Sequence, residues 1–355
     1  MNITVTQNQN PAAKPADESK LGFGKVFTDH MFLMDWDADT GWHDARIVPF
    51  GPLSIHPAST VLHYGMEIFE GLKAYRRADG GVQLFRPQRN FARMNRSAAR
   101  MGLPLLDEEF ALTALTELVR LDADWVPHSD GTSLYIRPFM FGDDEHLGVH
   151  GASHARFLII LSPSGSYYPG GLEPVKIMIE DEDVRAVRGG TGEAKCGGNY
   201  GASVRAGNRA EERGFSQVLW LDGVERRYIE EVGAMNIMFQ IAGKVCTPSL
   251  SGSILDGVTR RSILELLRSE GVPVEERRIS VDELIAAAES GSLEEVWGCG
   301  TAAVVSPVGA LAYHGKEYVI NGGKIGDTTQ RLYDELTAIQ WGKAPDPFGW
   351  VYPID

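Results

Sequence analysis

Apolar and polar positions along this chain follow two rhythms. Runs with strand character, rich in aromatic and branched residues, occur at RIVPFGPLSI (46–55), LKAYRR (72–77), VQLF (82–85), SLYIRPFMF (133–141) and RFLIIL (156–161). VKIMIE, QVLWL and NIMFQI continue the series in the second half. Helical spacing takes over after Pro87, where Phe91, Met94, Ala98 and Met101 recur on one face. It returns after Asp107, with Phe110, Leu112, Leu115, Leu118, Val119 and Leu121 as the apolar stripe. Ser280-x-x-Glu283 is a capping box that opens VDELIAAAES, and Gly291 closes that helix. Residues 1–20 are polar and read as a flexible N-terminal arm. SPSGSYYPGG (162–171) is dense in serine, proline and glycine, and reads as a break between domains. The pattern predicts a two-domain α/β (α+β) chain: arm 1–20, small α/β domain 21–162, linker 163–173, large domain 174–355.

The length of 355 residues agrees with two domains at about 150 residues each. With 34 basic and 48 acidic residues the net charge is −14. That balance argues against nucleic acid as the main partner, because phosphate-backbone binders carry a basic face. Cys196, Cys246 and Cys299 are widely spaced and suit a reducing compartment rather than a disulfide framework. The first twenty residues lack the apolar core of a signal peptide, and FLIIL (157–161) is far too short to span a bilayer. The expectation is a cytoplasmic protein with no membrane contact.

Three segments carry chemistry. RGGTGEAKCGGNYGAS (188–203) sets one lysine, Lys195, among glycines that permit close backbone approach to a ligand, with Tyr200 five residues on. Such a lysine is either a solvated loop residue or an amine desolvated against a cofactor and thereby made nucleophilic. EEVGAMNIMF (230–239) places two carboxylates before a small-residue turn, and adjacent glutamates are ordinarily solvated. Asp256-Gly257-Val258-Thr259 opens an amphipathic helix carrying Ile263, Leu264, Leu266 and Leu267, whose N-terminal amides suit a phosphate. Gly298-x-Gly300-x-x-Ala303 formally fits a dinucleotide fingerprint, but Val304-Val305-Ser306-Pro307 does not begin a helix, which disfavours a dehydrogenase. His146, His150 and His154 are spaced four apart. Gly148 and Gly151 oppose a helix there, so no metal site is expected.

Read in order, these segments resemble the branched-chain amino acid aminotransferases, fold-type IV enzymes that use pyridoxal 5'-phosphate. HYGMEIFEGLKAYR (63–76), LFRPQRNFARMNRSAARM (84–101), SLYIRPFMFG (133–142), QVLWLDG and GCGTAA extend the match over nearly the whole chain. The resemblance implies the two-domain fold shared with D-amino acid aminotransferase, with the large domain binding the cofactor. It implies that Lys195 forms the Schiff base and moves the proton, that Tyr200 bonds the cofactor 3'-oxygen, and that Glu231 rather than Glu230 pairs with the pyridinium nitrogen. Arg86, Val258, Thr259 and Thr301 would hold the phosphate. Phe69, Tyr135, Arg137, Tyr167, Thr301 and Ala302 would contact substrate, Arg137 receiving a distal carboxylate. Tyr64, Leu147 and Val149 would approach across a homodimer interface. The implied reaction exchanges the amino group between L-Leu, L-Ile or L-Val and 2-oxoglutarate, giving branched 2-oxo acids and L-glutamate. D-amino acid aminotransferase and aminodeoxychorismate lyase share the fold and stand as alternatives. Two departures are visible: Ala303 and Ser306 stand where some members carry a thiol pair, and Ala234 where some carry a hydroxyl.

Overall fold

The computed structural model describes residues 1–167 and 171–354. Its contacts divide the chain into two compact units. The first comprises Met1–Pro169, Ala194–Gly197 and Ala338–Asp355; the second comprises Gly170–Glu193 and Gly198–Thr337. Of the predicted linker, residues 168–170 lie outside the described residues.

In the first unit, eight strands precede the first long loop: β1 (Thr4–Val5), β2 (His30–Asp37), β3 (Gly41–Pro49), β4 (Glu67–Phe69), β5 (Leu72–Arg76), β6 (Val82–Phe85), β7 (Ser133–Gly142) and β8 (His154–Ser164). With the C-terminal strand Val351–Ile354 they form one sheet, ordered β1-β3-β2-β8-β7-β5-β6 and then the C-terminal strand, β4 lying against β7. Helices α1 (Thr60–Tyr64), α2 (Pro87–Met101) and α3 (Glu108–Leu121) belong to this unit. Strand alternation divides the side chains. Leu72 and Ala74 of β5, with Leu134, Ile136 and Met140 of β7, join Phe91, Met94, Leu115 and Leu118 from the two long helices in one core. Lys73, Tyr75, Tyr135 and Arg137, the intervening residues, are thereby sent to the other face.

The pattern and the structure differ at three places. The strand expected over 46–55 ends at Pro49, since Gly51-Pro52 interrupts the supply of ladder donors. β8 runs on to Ser164 through serine and proline, because β7 pairs with it as far as Ser133↔Ser164. A strand partner overrides weak local propensity. The first twenty residues, expected as a loose arm, are tied down at several points: β1 pairs with β3, Ala12 N–H donates to Asp29 at 2.7 Å, and Glu18 accepts from Ser129 N–H at 2.6 Å.

The second unit holds β9 (Val175–Glu180), β10 (Gln217–Leu221), β11 (Ile229–Val232), β12 (Met235–Ile241), β13 (Lys244–Pro248), β14 (Val274–Arg277), β15 (Leu293–Gly300), β16 (Val304–Tyr313) and β17 (Lys316–Val319). Their order is β11-β10-β9-β16-β15-β12-β13-β14, with β17 on β16. Its helices are α4 (Gly197–Gly201), α5 (Val204–Glu212), α6 (Val258–Ser269), α7 (Val281–Ser290) and most of α8 (Asp327–Gln340). Alternation works here as well. Ile177, Ile179, Leu219 and Leu221 pack with Val281 and Leu284 of α7, whereas Met178, Val218 and Trp220 pack with Ala206 and Ala210 of α5. The capping box forms as read: Ser280 Oγ accepts from Glu283 N–H at 3.1 Å, and Gly291 closes α7 at φ 77°. β15 and β16 are antiparallel neighbours, so the glycine fingerprint at 298–303 leads into a strand and not into the helix a dinucleotide needs. Among the described residues, no helix is long and apolar enough to cross a membrane.

Candidate active site

Lys195 sits in a clamp built by the first unit. Ala194 and Cys196 on either side are buried in that unit's apolar core. The lysine main chain is held twice: its N–H donates to Ser97 Oγ at 2.9 Å, and its carbonyl accepts from Phe69 N–H at 2.9 Å. Gly197 N–H donates to Glu67, and a Cβ at Gly197 would collide with that carboxylate, so the close approach relies on glycine. The ammonium Nζ stands 4.6 Å from the centre of the Phe69 ring. Burial pushes the amine down to about 8, with the Arg93 charge adding to the effect and Glu70 opposing it.

The Glu70–Arg93 pair behind this clamp is buried and bidentate. Arg93 Nε and Nη2 reach the carboxylate at 2.7 and 2.8 Å, and Asn90 Nδ2 donates at 2.8 Å. Burial alone would push Glu70 up, but the Arg93 charge and its hydrogen bonds outweigh that and hold the carboxyl below the usual range. Apolar periodicity does not single out these groups. Asn90, Arg93 and Ser97 recur at spacings of three and four along α2, each one residue before the apolar stripe Phe91, Met94 and Ala98. A polar row bordering an apolar row on a buried helix was the available signal.

Arg137 projects from β7 between two rings, its guanidinium carbon 4.6 Å from the centre of Phe69 and 5.3 Å from that of Tyr135. Nη2 donates to the Tyr135 hydroxyl at 3.0 Å, while Nε is buried with no hydrogen-bond partner. Tyr135 is buried, and a Cβ on Gly71 would clash with its hydroxyl. Arg86 is buried between β6 and α2 in the left-handed conformation (φ 50°, ψ 42°), its guanidinium 5.1 Å from the centre of Trp350. Non-glycine residues held there cost about 1–3 kcal/mol and concentrate at functional sites. Tyr64, Leu147 and Val149 come together at the surface: Tyr64 OH accepts from Gly148 N–H at 2.9 Å, and Leu147 and Val149 are 66% and 82% exposed. Tyr167 is exposed as well.

The second unit contributes a separate set of groups. Glu231 on β11 is buried; Leu255 N–H donates to its Oε1 at 2.6 Å, and Arg185 Nη2 lies 3.4 Å from the same oxygen. No local pattern marks Arg185 in the sequence. Its hydrogen bonds to the carbonyls of Gly192 and Ser253 join residue 192 to the 253–255 turn within the second unit. Glu230, expected to be solvated, is buried instead. It accepts from Ser253 Oγ and leaves Oε2 without a hydrogen bond. Burial pushes its carboxyl up.

Val258 and Thr259 form the first turn of α6, capped by Gly257, which brings no side chain, so first-turn amides retain donor capacity. A Cβ at Gly257 would strike Asn236 Oδ1, and Asn236 Nδ2 in turn holds Leu255 O at 2.9 Å. Thr301 and Ala302 occupy the turn between Gly300 and its partner Val304, the latter at φ 62°, a strained value for a β-branched residue. Tyr200 is half-buried on α4, beside Asn199, which exchanges hydrogen bonds of 2.8 and 2.9 Å with Thr191. Cys299 is buried, and burial pushes its thiol up to about 12, so it is no nucleophile.

A family model for amino-transferase class IV matches residues 67–311. The chain is 56% identical over 339 residues to branched-chain-amino-acid transaminase 1 of Bacillus subtilis (strain 168), covering 95% of each protein. The chain belongs to the branched-chain amino acid aminotransferase family of class IV. This aminotransferase is also 57% identical over 350 residues to a probable branched-chain-amino-acid aminotransferase of Staphylococcus aureus (strain MRSA252), covering 98% of this chain and 97% of that one. Among solved structures, the branched-chain aminotransferase of the thermophilic archaeon Thermoproteus uzoniensis, with norvaline, superposes at TM-score 0.75 and 26% identity, covering 92% of this aminotransferase and all of that one. The Escherichia coli enzyme gives TM-score 0.76 at 25% identity, covering 92% and 99%. The expected fold-type IV architecture and the expected family are both borne out.

Proposed function

We propose that this aminotransferase exchanges the amino group between L-leucine, L-isoleucine or L-valine and 2-oxoglutarate, with pyridoxal 5'-phosphate as cofactor, acting in the cytoplasm as a homodimer. The observation that carries the reading is the lysine clamp, which holds one amine rigidly by its main chain and depresses its proton affinity. The other groups fit the same cofactor: a buried carboxylate for a pyridinium nitrogen, a glycine-capped helix start for a phosphate, and a buried Arg137 Nε still open to an acceptor. Another solved branched-chain amino acid aminotransferase, 25% identical at TM-score 0.76, is complexed with N-(5'-phosphopyridoxyl)-L-glutamate.

When bound, the cofactor supplies an electron sink for charge developing at the substrate α-carbon. Lys195 would hold it through Nζ, and the same amine, pushed down to about 8 by burial, would be the group that takes up and returns the α-proton. Glu231 would keep the ring nitrogen protonated, and Tyr200 would orient the 3'-oxygen. Arg86, Val258, Thr259 and Thr301 would hold the phosphate. Phe69, Tyr135, Tyr167 and Ala302 would contact substrate, and Arg137 would receive the side-chain carboxylate of glutamate in a planar fork. The exposed Tyr64, Leu147 and Val149 cover the pocket of a second copy, which accounts for three large side chains left at one surface.

The test is borohydride reduction of the cofactor-loaded protein, followed by peptide mapping and amino-donor assays with 2-oxoglutarate. Pyridoxyl mass on Ala194-Lys195-Cys196, turnover with L-leucine and its loss in Lys195→Ala are expected. Label on Lys73, or turnover with D-alanine or lyase activity on aminodeoxychorismate in place of L-leucine, would overturn the reading.

A further inference from the structure

The loop between β7 and β8 gathers three groups that the transamination chemistry does not use. Asp144 is 1% exposed, its carboxylate fixed by the N–H groups of Ser153 and His154 at 3.0 and 3.2 Å. His150 Nδ1 lies 2.6 Å from Gly151 O. A carbonyl only accepts, so Nδ1 carries the proton and the lone pair of the neutral ring is left on Nε2. That Nε2 is buried and has no hydrogen-bond partner. The His146 ring stacks on His150 with centroids 4.5 Å apart and planes 2° from parallel. One ligand atom from each of Asp144, His146 and His150 lies within 4.8 Å of the other two.

We propose that Asp144, His146 and His150 form a binding site for a divalent transition-metal ion of the zinc type. Two imidazoles and one carboxylate favour zinc, cobalt, nickel or copper over magnesium and calcium, which prefer all-oxygen shells. An Nδ1–H donated to a backbone carbonyl is how metal-binding histidines are oriented, and it leaves Nε2 as the ligand. Ligand atoms on tetrahedral zinc stand roughly 3.3 Å apart, so from separations of up to 4.8 Å the three groups close by at most about 1.5 Å, a movement that the exposed His146 can supply. Asp143 is engaged with Arg156 and Ser59. His154 leaves the triad: its Nε2 pairs with Asp37 at 2.9 Å, and its Nδ1 stands 3.5 Å from Asp144. Gly148 and Gly151 speak against a helix here, and none forms. The loop instead brings two of the three histidines to a buried aspartate without any helical spacing.

A bound ion would tie both ends of the segment carrying Leu147 and Val149. Any effect of that on the neighbouring pocket rests on the function proposed above, so the test reads metal binding and not turnover. The chelator-treated, cofactor-loaded enzyme is titrated with Zn2+ by calorimetry without amino acid present, and with Co2+ by visible absorption. One equivalent per chain is expected, with binding weakened tenfold or more in His146→Ala and in His150→Ala and unchanged in His314→Ala. The cofactor absorbance stays constant throughout. Absence of saturable binding, or binding that survives His146→Ala at full strength, would overturn the proposal; the exposed position of His146 keeps that variant foldable.

Discussion

Glu230 and Glu231 are adjacent and both buried, yet their surroundings assign them different chemistry. Glu231 is met by an N–H group and by Arg185, which favour the ionised carboxylate. Glu230 has one hydroxyl donor and an unpartnered oxygen, and burial pushes it toward the neutral acid. Glu231→Gln is expected to lower the transamination rate by roughly 10²-fold or more, since it removes charge from a preorganised site. Glu230→Gln keeps an acceptor for the Ser253 hydroxyl, its one hydrogen-bond partner, so rate and cofactor absorbance stay near those of the parent. Stopped-flow spectra of the two variants with L-leucine check this, and the reverse order would mean the roles are exchanged. Arg137 gives a second residue-scale prediction. With its Nε available and its fork set over apolar rings, Arg137→Ala should raise KM for glutamate and 2-oxoglutarate at least tenfold more than for leucine. An equal loss for both, with a lower Tm, would make the arginine a structural tie.

At the scale of elements, two helix starts are capped differently. Ser280 caps α7 with its own hydroxyl, so Ser280→Ala should cost about 1 kcal/mol of stability and leave kcat and cofactor affinity unchanged. Gly257 caps α6 without a side chain, and an added Cβ would strike Asn236. Gly257→Ala should therefore weaken cofactor affinity by roughly tenfold or more, read by equilibrium dialysis, because Asn236 and the 255–259 backbone have to shift. If the two variants behaved alike, the phosphate would not sit at α6. Strand alternation was legible from sequence at this scale, since period-two runs on β5 and β7 already separate core residues from Lys73, Tyr135 and Arg137. The Glu70–Arg93 pair was not, because nothing local to Glu70 indicates that an arginine 23 residues away will enclose it.

For the whole molecule, two desolvated lysines set a pH dependence. Burial pushes both Lys195 and Lys73 down to about 8. Below pH 8 each amine is protonated in the folded and unfolded chains alike, and the folded state carries the full cost of the desolvated charge. Between about 8 and the ordinary lysine value near 10.4, the unfolded chain binds more protons, so stability rises with pH. Cofactor-free protein is thus expected to be less stable than Lys195→Met by about 3 kcal/mol at pH 7, with the gap closing toward pH 10. Chemical denaturation of both at several pH values measures it. A gap independent of pH would place the lysine amine in water.

The sequence by itself determined the elements with strong periodicity, the caps of α7, and the family, because each of these is written in neighbouring residues or in ordered motifs. It also drew attention to Lys195, a single lysine among glycines, whereas Glu231 and Arg137 were pointed to by the family resemblance and not by any local pattern. Only the tertiary structure decided that Ala194 and Cys196 anchor the lysine in the first unit's core, and that Glu230 is buried. It alone extended β8 through Ser164 and gathered Asp144, His146 and His150 in a loop. Those outcomes depend on partners distant along the chain or on loop geometry without a repeat, and hydrophobic patterning carries no information about either.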